Sequence, residues 1–95
     1  MSRKGLFYKP AKHKKLAEII SLESPSKARR SVSILRRMFR RAKTRKEKRT
    51  IKQATVLAAN RARAASKRKD LSRRERKQLR EEADIYTQAY KEMEL

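Results

Sequence analysis

Residues 25–49, PSKARRSVSILRRMFRRAKTRKEKR, set the fold of this chain. Ala28, Val32, Leu35, Phe39 and Ala42 recur at spacings of four, three, four and three, the period of an α-helix with one apolar face. The pairs Arg29-Arg30, Arg36-Arg37 and Arg40-Arg41 fall between them and project away from that face. One side of the helix builds a core, and the other carries dense fixed charge. The stretch holds twelve Lys/Arg and one acid, Glu47, the electrostatic footprint of a polyanion partner.

Local signals on either side punctuate the pattern. Ser24-Pro25 opens a helix, because a serine oxygen accepts from free N–H groups and proline suits the first helical position. Thr44 and Glu47 have the spacing of a capping box, so a second helix starts at about 45 and the run of charge bends at a turn. Its stripe is Ile51, Thr55, Ala58, Ala62 and Ala65, widened by Ala54, Val56, Leu57 and Ala59. Ser72 and Glu75 repeat the box and open a third helix, with a stripe of Leu79, Ala83, Tyr86, Tyr90 and Met93. The reading is all-α: an antiparallel three-helix bundle over about 25–42, 45–68 and 73–93. Residues 1–23 form a basic, partly flexible N-terminal arm, in which 11–21 can make a short helix with Leu16, Ile19 and Ile20 on one side, and residues 24–95 form the bundle domain. A helical hairpin with a loose third helix is the alternative. One glycine, two prolines and few alternating β-branched runs argue against a sheet.

The chain has 95 residues and a formal net charge of +20, so it repels itself when compact and gains from a polyanion. Residues 1–80 carry a net of +24, and residues 81–95 a net of −4. There is no cysteine, hence no disulfide, thiolate nucleophile or Cys-based zinc site. The single histidine, His13, sits between lysines of the arm, without a partner to orient it as an acid or base. With one glycine there is no phosphate loop. The expectation is a non-enzyme with no catalytic residue, no metal site, no cofactor and no small-molecule substrate. No apolar run matches a secretory signal or a membrane span. The expected location is cytoplasmic and nucleoid-associated, with no membrane partner.

Arginine grips phosphate through two parallel bonds, which makes the arginine pairs the main functional signal. The candidate nucleic-acid-binding residues are Arg29, Arg30, Arg36, Arg37, Arg40, Arg41, Lys43, Arg45, Lys67, Arg68 and Arg73. In an up-down-up bundle, Lys27, Arg29 and Arg30 share one end with Lys67, Arg68 and Arg73, while Arg40, Arg41, Lys43, Arg45 and Lys46 gather at the other. Such contacts position a protein on nucleic acid without reading sequence. A solvated surface tuned for solubility is the plainer alternative, although solubility alone usually mixes signs. Phe7 and Tyr8 lie within the arm, where rings either stack on unpaired bases, anchor in a partner's pocket or pack on the bundle. Glu81, Glu82 and Asp84 form an acidic end and are candidate partner-binding residues.

The run from Ser24 to Tyr90 resembles a family of small, basic, helical archaeal proteins. The resemblance rests on Ser24-Pro25, Ala42-Lys43-Thr44-Arg45, Ala58-Ala59-Asn60-Arg61 and Leu71-Ser72. The chain is also similar to the small second accessory subunits of crenarchaeal B-family DNA polymerase holoenzymes. That resemblance implies a non-catalytic role in DNA replication, DNA favoured over RNA, and a larger protein partner such as a DNA polymerase. A small ribosomal, rRNA-binding protein and an interaction module for an acidic protein have the same composition and remain alternatives.

Overall fold

Each helix begins where its capping residues dictate. In the computed structural model, which describes residues 16–95, α1 spans Pro25–Arg41, α2 Arg45–Ala65 and α3 Arg73–Lys91. The Ser24 side chain accepts from the Lys27 N–H at 3.2 Å. Thr44 accepts from the Glu47 N–H at 3.0 Å, and the Glu47 carboxylate accepts from the N–H groups of Lys43 and Thr44 at 3.0 and 3.2 Å. Those two N–H groups hold the Glu47 carboxyl below the usual range. Ser72 and Glu75 form the same reciprocal box, at 3.1 and 2.9 Å. The extended backbone of Ala42 and Thr44 separates α1 from α2, so the two are distinct helices joined by a tight connection.

The second helix is shorter than its sequence pattern, ending at Ala65 rather than about 68. The Ser66 hydroxyl donates to the Arg63 carbonyl at 2.6 Å, and a clamp of Arg68 on Asp70 shapes the turn that follows. A side chain that bonds the nearby backbone competes with helix continuation.

The fold is all-α among the described residues, and the chain runs up, down and up. Thr55 of α2 donates to the Met93 sulfur at 3.8 Å, whereas Arg63, two turns later, reaches Thr87 and Asp84. Those pairs run in opposite directions along α2 and α3, as antiparallel neighbours require. The most extensive helix–helix contact is between α2 and α3. Their buried faces carry Ala58, Ala59 and Ala62 on one helix and Ala83 and Ala89 on the other, and small side chains let backbones approach closely. Ala28, Val32, Leu35 and Phe39 of α1, with Ile51, Tyr86 and Met93, complete the core. Lys48 lies 4.9 Å above the Phe39 ring, a cation on an aromatic face at the core's rim.

The division at residue 23 needs correction. Residues 16–19 are helical, Leu16 is buried in the core, and Ile19, Ile20 and Leu22 pack against it. A buried polar network fastens this segment. The Tyr86 hydroxyl donates to the Ser21 carbonyl at 2.7 Å, and the Ser21 N–H faces both Tyr86 Oη at 3.1 Å and Ser31 Oγ at 3.2 Å. Ser31 Oγ lies 2.6 Å from the Ile19 carbonyl. Burial pushes the Tyr86 phenol above its ordinary value, so it stays a donor. The packed domain therefore begins by residue 16, before the boundary that charge and Pro25 suggested. The rest of the arm, including Phe7, Tyr8 and His13, lies outside the described residues.

Tyr86→Phe keeps the ring but strands the Ser21 carbonyl. It should cost about 1–2 kcal/mol, less than the about 2–5 kcal/mol of Leu35→Ala. Urea unfolding midpoints of the full chain measure both. A Tyr86→Phe variant as stable as the unaltered chain would show that the network does not hold the N-terminal segment.

Candidate nucleic-acid interface

The exposed side of α1 is built by the same period that buries its other side. Arg29, Arg30, Arg37, Arg40 and Arg41 are exposed. From Arg29 to Arg41 the helix rises roughly 18 Å, a distance along which duplex DNA presents several phosphates. Arg40 and Arg41 lie in the last turn, where cations suit the negative end of the helix dipole. None of these five makes an ion pair within the described residues.

Arg36 differs from its neighbours. It is half-buried and its guanidinium lies 2.5 Å from Glu92 Oε1, beyond the end of α3. Arg36 Nε is buried with no hydrogen-bond partner among the described residues. Among the described residues, the α1 arginine pair 36–37 is divided in this way, with one member engaged by an acid at the surface and the other free of one.

Topology sorts the remaining cations into two poles. Lys43 is exposed in the α1–α2 connection, beside Arg45 and Lys46 at the start of α2. The Arg45 guanidinium donates to the Leu95 carbonyl at 3.2 Å, which brings the last residue to this pole. At the opposite pole lie Lys67, Arg68 and Lys69 after α2 and Arg73 and Arg74 in the first turn of α3, all exposed. Arg68 is held on Asp70 by two bonds of 3.1 and 2.6 Å, so much of its charge is already answered. The outer face of α1 runs between the two poles.

The three acids proposed as one partner-binding group do not share a surface. Glu81 is exposed. Asp84, also exposed, stands 3.8 Å from Arg63. Glu82 is 1% exposed, on the buried side of α3 one turn before Tyr86, and its Oε1 has no hydrogen-bond partner among the described residues. Glu82 is thereby removed from the set: its position in the turn, four before Tyr86 and seven before Ala89, points it inward despite its charge. Much of the acidic tail answers the chain's own arginines, through Asp84 with Arg63 and Glu92 with Arg36.

Leu57 is a second departure. Its apolarity predicts a place in the α2 stripe, but it is 53% exposed. Two residues from Thr55 is roughly 200° around the helix, and this simple angle already puts Leu57 on the far side. It borders a cleft against residues 16–22 instead.

No group of three or more His, Cys, Asp or Glu residues could hold a metal ion among the described residues, and none of the described helices is long and apolar enough to cross a membrane. No protein-family model, curated protein or solved structure matches the chain.

Glu82 makes stability depend on pH. Burial, and then the neighbouring Glu81 charge, push its carboxyl up to about 7 from 4.5. The folded state thus holds this proton more tightly than the unfolded chain. The associated stability is complete below the ordinary carboxylate range and is lost as pH rises through about 7. Glu82→Gln should therefore raise the melting temperature at about pH 8 more than at about pH 5. Equal shifts at both pH values would show that Glu82 titrates like an exposed carboxylate.

Proposed function

We propose that this protein is a non-catalytic, sequence-independent nucleic-acid-binding protein whose principal contact surface is the outer face of α1. The observation that carries the reading is the row Arg29, Arg30, Arg37, Arg40 and Arg41. These cations are exposed on one rigid helix and unmatched by any acid of the described residues. Dense like charge destabilises a bare helix. A phosphate backbone removes that repulsion and releases counterions as it binds. Lys43, Arg45 and Lys46 at one pole and Lys67, Lys69, Arg73 and Arg74 at the other extend the contact. Arg36 and Arg68, each already answered by an acid, contribute less.

The resemblance to accessory subunits of archaeal B-family DNA polymerases makes DNA the favoured nucleic acid. It gives the role a context: a small basic subunit that adds affinity for the template to a larger polymerase during replication, at the nucleoid. The chain's part in that role is electrostatic. It supplies pre-organised guanidinium groups and no reacting group.

Binding of the full chain to a fluorescent duplex should fall by roughly 10³-fold or more between about 50 and 200 mM salt. Arg37→Ala with Arg40→Ala should weaken binding alike on unrelated sequences and lower the log–log salt slope by about two. Arg36→Ala should change the slope less, because its charge is engaged by Glu92. A flat salt dependence would refute phosphate binding. Equal effects of Arg36→Ala and Arg37→Ala would refute the assignment to the outer face. A parallel titration with duplex RNA tests the preference for DNA.

A further inference from the structure

The cleft beside Leu57 is unexplained by phosphate binding. Leu16, Ile20 and Leu22 form one wall, and Ala54, Leu57 and Arg61 of α2 the other. Its volume is about 390 Å³. That is room for a few apolar side chains, at the small end of the ~300–1,000 Å³ range of binding clefts. Among the described residues this cleft is open and mostly apolar, with Thr50 and Gln53 also in its lining, and an apolar patch on a surface this charged marks an interaction site. The wall is also firmly set, because the Tyr86–Ser21 bonds hold the 16–22 segment in place.

Charge identifies the occupant. Arg61 lines the cleft, and the exposed Lys46 stands one turn before Thr50, the first residue of α2 that lines it. A second copy of this chain would bring another +20 to the contact. We infer that the cleft is a docking site for an amphipathic helical segment of an acidic protein partner, which inserts apolar side chains beside Leu57 and sets carboxylates against Arg61 and Lys46. Helices commonly dock in this way, with anchors three and four residues apart. The site is separate from the outer face of α1, and it holds whether or not that face binds nucleic acid. A chain with both surfaces joins an acidic protein to a polyanion.

The test uses a synthetic helical peptide of about 18 residues, with leucines at i, i+3, i+4 and i+7 and glutamates elsewhere. A permuted peptide of identical composition, with the leucine stripe broken, is the control. By fluorescence anisotropy with the full chain, the striped peptide should bind about tenfold or more tightly than the control. Leu57→Lys, a change at an exposed position, should abolish that difference while the thermal melt is retained. Arg61→Glu should weaken the striped peptide further than the control. Equal binding of the two peptides, or no effect of Leu57→Lys, would overturn the proposal by reducing the interaction to net charge. A dimer of the free chain that Leu57→Lys dissociates would assign the cleft to a second copy and overturn it as well. Nuclear Overhauser contacts from residues 1–15 to the Leu57 methyls in the free protein would do the same in favour of the chain's own N-terminus.

Discussion

The hydroxyl of Tyr86 is the joint on which this bundle depends. Its ring is fully buried in the core, so the polar tip has to find partners inside the protein. It finds them on Ser21, 65 residues away in sequence, with Ser31 of α1 completing the network. Three parts of the chain are thereby fixed to one another: the 16–22 segment, α1 and α3. A helix bundle of this size buries a modest fraction of its surface. A satisfied polar network at its centre specifies one arrangement of the helices where apolar packing alone would leave several.

That arrangement also decides where the charge goes. Every helix has one side committed to the core, so the lysines and arginines are driven to the outside and crowd there. Part of the crowding is relieved internally. Asp84, Glu92 and Asp70 each meet an arginine, although exposed pairs of this kind stabilise weakly. The outer face of α1 receives no such relief within the described residues. A ligand that binds only the folded state adds stability by mass action, so under the proposed function a polyanion bound on this face would also reinforce the bundle.

The helices were legible in the sequence because their signals are local. Thr44 with Glu47 and Ser72 with Glu75 act across three residues, and the apolar stripes repeat within a turn. The sequence signals match the starts of α1, α2 and α3, and the exposure of every α1 arginine except Arg36. What escaped depends on distance or on an override of residue type. No local pattern shows that Ser21 meets Tyr86, so a charge-based boundary was drawn through a packed segment. Glu82 was assigned to the surface by its polarity, but its angle on α3 buries it. Leu57 was assigned to the core by its apolarity, but its angle on α2 exposes it. In both residues helical geometry outranked chemical character, and the cleft follows from the second. The pairing of Arg36 with Glu92, 56 residues on, is likewise a tertiary choice between two adjacent, identical side chains.

The proposed function makes the outer face of α1 the nucleic-acid surface. The most direct measurement is amide chemical-shift mapping of the isotope-labelled full chain during titration with duplex DNA. The largest changes should fall between Arg29 and Arg41, with a second group at residues 67–74 and little change at Glu81 or along the Leu57 cleft. Changes concentrated on α3 or in the cleft, with α1 unaffected, would contradict the account.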